Sequence, residues 1–140
     1  MYAIKTAIGD TKARTWNFAR QKTMYGGKRV AKGDTIFVFA SENEGGPGLV
    51  AKGVVTSAVP VPRKAGIDRQ TPRVSIVVRR IAFAKRRLGR QVLKPFTNWT
   101  DGRPETELNF KFYRQATNKI VGISAAAGAL LQGCFKTTDS

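Results

Sequence analysis

The sequence contains no histidine and a single cysteine, Cys134. Without histidine there is no imidazole general base, no Ser-His nucleophile, no His-bearing metal site and no His-Glu zinc-deaminase pattern. One cysteine makes no intrachain disulfide and no cysteine zinc cluster. Set beside Leu131 and Phe135, it reads as a small buried hydrophobe. Long apolar runs are missing too. The longest, Ile120 to Leu131, is broken by Gly122, Ser124 and Gly128 and falls short of the ~20 residues that span a bilayer. Met1-Tyr2-Ala3-Ile4-Lys5 shows no charged leader ahead of an apolar stretch. These absences lead us to expect a cytoplasmic protein that is not an enzyme, with no membrane partner, no metal and no cofactor.

Acids are the other scarcity: 9 Asp and Glu stand against 25 Lys and Arg, a formal net charge of +16. One-signed charge repels itself, and polyanions offset it by releasing counterions as their phosphates are neutralised. The charge is also uneven, since residues 63–94 hold eleven cations and one acid, Asp68. Arginine dominates there, which suits forked contacts to phosphate and stacking on bases. Arg79, Arg80, Arg86, Arg87 and Arg90 are the expected phosphate contacts. Nucleic acid, DNA or RNA, is the expected partner.

With 41% hydrophobic and 24% charged residues in 140, the chain has a globular composition, and we expect one domain over 1–140. Tyr2 to Ala7 reads as a strand, and Thr15 to Lys22 as a short helix or turn with Thr15 as its cap. Thr35 to Ala40 (TIFVFA) is apolar on both faces and reads as a central strand. The glycine-bearing turn Glu44 to Gly48 returns the chain along Leu49 to Val59, antiparallel to it. That turn is either plain or a phosphate cradle, the plain reading being preferred.

Pro60 to Pro72 reads as an irregular loop. Arg73 to Phe83 reads as a strand whose apolar parity switches after Val78, the mark of a bulge at Arg79-Arg80. Lys85 to Leu93 reads as a short basic helix, Phe96 to Pro104 as a loop, and Leu108 to Tyr113 and Lys119 to Ile123 as strands. Ser124 caps a final helix to Gln132, closed by Gly133. The sum is an α+β fold: a curved, mostly antiparallel β-barrel of five to six strands with short flanking helices.

Lys32-Gly33-Asp34, the strand ending at Ser41, and the return strand from Gly48 to Val55 resemble the turn and strand pair of EVE domains in the PUA-like superfamily, relatives of YTH and ASCH domains. Trp16-Asn17-Phe18-Ala19-Arg20-Gln21 is similar to the tryptophan-led helix entry before that turn. The Ser-Glu-Pro element of the first EVE strand is absent; Thr6-Ala7-Ile8-Gly9 stands there.

The resemblance implies a barrel that reads a flipped, modified nucleobase in a pocket at its mouth. Trp16 is the expected stacking face, Asn17 an edge reader and Phe39 an apolar wall, with Ser41, Glu42 and Asn43 as polar groups at the strand end. Trp99 and Tyr113 are secondary candidates. Trp16 plugging the barrel is the competing reading. Two other functions fit the same residues. One is an ASCH-like ribonuclease using Tyr113, Arg114 and Lys119; the other is a structural RNA-binding protein of a ribonucleoprotein particle.

Overall fold

The computed structural model describes residues 1–66, 70–115 and 117–136. Six strands close into a barrel: β1 (Tyr2–Thr6), β2 (Thr15–Met24), β3 (Thr35–Ala40), β4 (Gly48–Pro60), β5 (Arg73–Phe83) and β6 (Lys119–Gly122), in the order β1-β3-β4-β5-β2-β6. β1–β3 and β2–β6 pair parallel and the other four seams antiparallel, the mixed but mostly antiparallel barrel the pattern implies.

Among the described residues, three α-helices lie outside it: α1 (Arg90–Leu93), α2 (Pro104–Phe112) and α3 (Ala125–Gly133). No described helix is long and apolar enough to cross a membrane. Within the Pro60–Pro72 loop, Ile67, Asp68 and Arg69 lie outside the described residues.

The double-faced β3 explains how one chain builds two cores. Ile36, Val38 and Ala40 point into the barrel with Ile4, Phe18, Ile76 and Ile120. Phe37 and Phe39 point outward, where Leu93, Leu108, Phe112 and Leu131 of the helices cover them. Strand alternation divides one apolar run between the two layers. A bulge is present on β5, one residue beyond the expected Arg79-Arg80. Lys52 pairs with Ala82 but Gly53 with Arg80, so Ile81 is the extra residue on β5. A second register shift between Val55 and Ser57 adds curvature along the same seam.

Three segments differ from the sequence reading. Thr15–Met24 is a strand, not a helix or turn: Trp16 and Phe18 are buried with exposed Asn17 between them, the period of two that defines a strand face. Leu108 to Tyr113 is not a strand but the end of α2. Pro104 sits at its first turn with Glu105 and Glu107, where proline costs no hydrogen bond and acids meet the helix dipole. Leu108 and Phe112, one turn apart, are both fully buried.

The third is Lys85 to Leu93, where only Arg90–Leu93 is helical. The residues before it bond elsewhere: Ala84 N–H to Val50 O, Lys85 and Arg86 N–H to Cys134 O, and Leu88 O from Leu49 N–H. Ser124 caps α3 as expected, its Oγ accepting from Ala127 N–H at 3.1 Å.

Candidate nucleic-acid interface

Ala40 ends β3, and the chain turns through a short 3-10 segment, Glu42–Glu44. The glycine loop that follows uses its amides internally, Gly45 N–H to Glu42 O and Gly46 N–H to Ser41 O. It is a plain turn, with Glu42 at its start. Gly89 makes room for that carboxylate, and Gly48 for the Leu88–Gly89 backbone. A Cβ on Gly48 would stand 2.6 Å from Leu88 O, and one on Gly89 would stand 2.6 Å from Glu42 Oε2. Glu42 then accepts from Arg90 N–H at 2.6 Å and from Tyr113 Oη at 2.9 and 3.0 Å. Asn43 Oδ1 accepts from Arg90 Nη2 at 2.7 Å. Two sequence candidates, Glu42 and Asn43, thus hydrogen-bond to two others, Tyr113 and Arg90.

Above this brace lies a cavity of about 390 Å³ lined by Arg90, Lys94, Trp99, Asn109, Tyr113 and Arg114 among others. Trp99 is 42% exposed and meets Phe110 edge-on, with ring centres 5.5 Å apart. The Arg114 guanidinium lies 4.7 Å from the Phe110 ring and 6.0 Å from the Trp99 ring. Arg90 lies 5.6 Å from the Tyr113 ring. Aromatic faces interleaved with guanidinium groups are the usual chemistry for holding bases and their phosphates together. Burial, then the Glu42 carboxylate, push the Tyr113 phenol far above its ordinary range, so it stays a hydrogen-bond donor at any working pH.

Behind Tyr113 lies an unusual pair. Lys5 and Lys119 face each other across the β1–β6 seam, and both are essentially inaccessible. Lys119 Nζ donates to Gln115 O at 3.0 Å and Thr117 O at 2.9 Å. Lys5 Nζ lies 5.0 Å from the Tyr113 ring. Burial lowers both lysines, Lys119 to about 8 with Lys5 adding repulsion. Glu42 partly offsets the shift at Lys5. The groups considered for phosphodiester cleavage are thus committed separately: Tyr113 to Glu42, Lys119 to backbone carbonyls, Arg114 to aromatic faces.

The structure places the remaining candidates elsewhere. Trp16 is 6% exposed; its ring stacks on Phe18 at 6.1 Å inside the barrel, and its Nε1 donates to Asp10 O at 2.8 Å. Asn17 points out of the opposite face, so the two do not face a common ligand. Phe39 is fully enclosed against Phe112, with ring centres 5.0 Å apart, and has no free face to offer as a wall. Ser41 is buried at the start of the turn, and its hydroxyl meets no hydrogen-bond partner among the described residues.

Of the arginines, Arg86 and Arg87 line a second cavity of about 330 Å³ with Lys12, Lys85 and Phe83. Arg80 stacks on Phe83 at 3.9 Å and donates Nε to Ala13 O at 2.9 Å. Arg79 is exposed. Cys134 is buried.

No family model matches the sequence, and no curated protein is similar to it. Solved structures are similar in fold. The human THYN1 protein, in complex with DNA containing 5-methylcytosine, superposes with a TM-score of 0.65 at 16% identity, over 97% of this chain and 98% of that one. The DUF55 domain of human thymocyte nuclear protein 1 gives 0.62 at 13% identity, over 94% and 96%. A protein from Pseudomonas putida gives 0.61 at 13% identity, over 96% and 99%.

Proposed function

We propose that this chain, an EVE-type PUA-like barrel in fold, is a nucleic-acid-binding module that holds an unstacked, modified base against Trp99 and Tyr113. The observation that carries the reading is the cavity over the Glu42 brace. It joins two aromatic rings, three cations and the Asn109 amide in a volume of about 390 Å³, within the ~300–1,000 Å³ usual for ligand pockets. The shared fold with a protein solved on methylated DNA supports it.

In this reading a base leaves its stack and lies on Trp99 or Tyr113. Arg90, fixed by Asn43 and by its stacking on Tyr113, meets the adjoining phosphate or a base edge. Arg114 and Lys94 neutralise further phosphates. Lys12, Lys85, Arg86 and Arg87 form a second basic shelf, with Phe83 as its exposed ring. Bases give shape and edge; phosphates give strength.

The test is incubation with labelled DNA and RNA oligonucleotides, plain and carrying one 5-methylcytosine. Binding of intact strands with a preference for the modified one is expected. Cleavage would replace this reading with the ribonuclease. Salt-sensitive binding indifferent to the modification would leave a structural RNA- or DNA-binding role.

A further inference from the structure

Away from the cavity of Trp99 and Tyr113, residues 61–64 and 70–73 line, together with Arg20 and Lys22 of β2, a groove of about 440 Å³. Its lining includes Arg20, Lys22, Arg63, Lys64 and Arg73, and no acid among the described residues. The walls are held in place. Gln70 closes the loop on itself, donating Nε2 to Lys64 O at 2.7 Å and accepting from Lys64 N–H at 3.0 Å. Thr23 Oγ1 donates to Pro72 O at 2.7 Å, and Val61 N–H donates to Arg73 O at 2.9 Å.

The floor carries a backbone outlier. Where β2 loses register between Phe18 and Gln21, Arg20 adopts φ 52, a conformation that costs a side chain energy and glycine almost none. Its N–H is taken by Ser75 Oγ at 3.0 Å and its carbonyl by Arg73 Nη1 at 2.7 Å. The strain fixes a guanidinium at the groove edge where a glycine would satisfy the backbone.

The groove is also connected. Lys22, Arg63, Gln70, Thr71 and Pro72 recur in an adjoining cavity whose far wall includes Gln115 and Thr117. Those residues directly follow Tyr113 and Arg114 of the aromatic cavity, and Lys119 clamps both their carbonyls. Four residues of chain span at most about 14 Å, so the wall of the adjoining cavity begins within that distance of Tyr113.

From this placement we infer a second binding site, distinct from the base cavity: the groove of Arg20, Lys22, Arg63, Lys64 and Arg73 takes the phosphodiester backbone of the same nucleic acid a few nucleotides from the held base. This rests on the proposed function.

The test compares wild type, Arg20→Gly and the double variant R20G/R63A on oligonucleotides of increasing length across a salt series. Arg20→Gly relieves the backbone, so Tm should hold or rise while affinity falls. The double variant should flatten the log–log salt slope by roughly 1.4 to 1.8, about 0.7–0.9 per lost phosphate contact. The loss should appear only with oligonucleotides long enough to reach the groove.

Unchanged slope and affinity in the folded double variant would overturn the groove and leave the base cavity standing. A wild type that binds no oligonucleotide would overturn both. Groove-dependent binding to phosphatidylserine vesicles or polyglutamate, with none to oligonucleotides, would assign the groove to another polyanion and overturn the inference.

Discussion

The Tyr113 phenol donates to both carboxylate oxygens of Glu42, at 2.9 and 3.0 Å, although 71 residues separate them. The contact ties the end of β3 to the end of α2 and sets the ring that forms one wall of the cavity. Tyr113→Phe should keep the wall and lose the tie. A hydrogen bond to a charged group is worth about 1.5–3 kcal/mol; with Glu42 partly solvated, a loss near the lower figure is expected in urea denaturation. Tyr113→Ala should in addition weaken oligonucleotide binding by about 1–3 kcal/mol of stacking. Equal binding losses in the two variants would show that the ring face is not used.

Gly89→Ala tests the same brace from the backbone side. A methyl group there meets Glu42 Oε2 at 2.6 Å and Gly48 Cα at 3.3 Å. We expect the carboxylate to be displaced, the Arg90 and Tyr113 bonds to break, and oligonucleotide affinity to fall while the barrel still unfolds cooperatively. An unaltered Tyr113 environment by NMR would contradict the brace.

The Lys119 ammonium is disfavoured by burial, so its folded value, about 8, lies below the ordinary 10.5. The unfolded chain therefore binds the proton more tightly, and stability should rise with pH from about 8 toward 10.5. At about 1.4 kcal/mol per unit, the relief is on the order of 3 kcal/mol. Tyr113, shifted upward, opposes this above pH 10, where only the unfolded phenol ionises. Denaturation midpoints at pH 7, 8.5 and 9.5 should climb, and lysine ¹³Cε shifts should show one group titrating near 8. A flat or falling midpoint over that window would contradict the assignment.

Salt dependence tests the basic shelf. With about four phosphates neutralised, the log–log slope should lie near −3 to −4. Replacing Arg86 and Arg87 together should flatten it by ~1–2 units without changing base preference. A slope unchanged in that variant would remove those arginines from the interface.

Much of the barrel was legible in the sequence because strand signals are local. Thr35–Ala40 carries apolar residues on both faces, and the parity switch after Val78 points to a bulge at Arg79-Arg80, one residue short of the extra Ile81. The errors arose where one residue pattern fits two periods. Leu108, Phe110 and Phe112 alternate like a strand, yet Leu108 and Phe112 are also one helical turn apart, and Pro104 with its two acids decides for α2. Thr15 resembled a helix cap, but Trp16 and Phe18 occupy one strand face.

The site was harder to read. Trp16 is a large aromatic whose sequence context resembles a ligand site, yet the barrel interior holds it. Trp99 and Tyr113, ranked lower, share a cavity because α1 and α2 pack together, a tertiary fact with no local mark. The usable sign was a tryptophan in the polar stretch Thr97 to Arg103, where no core can absorb it. The Arg20 groove left no trace in the sequence beyond charge.

The central claim is that a base is held on Trp99 and not on Trp16. Its most direct test is equilibrium binding of a 5-methylcytosine oligonucleotide at fixed salt to wild type and Trp99→Ala, with Trp16→Ala followed for stability. Trp99→Ala should leave folding intact and weaken binding by about 1–3 kcal/mol, with loss of discrimination against the unmodified strand. Trp16→Ala should cost roughly 3–5 kcal/mol of stability as a core truncation. Full affinity and discrimination in Trp99→Ala, or a stable Trp16→Ala that loses discrimination, would contradict the account.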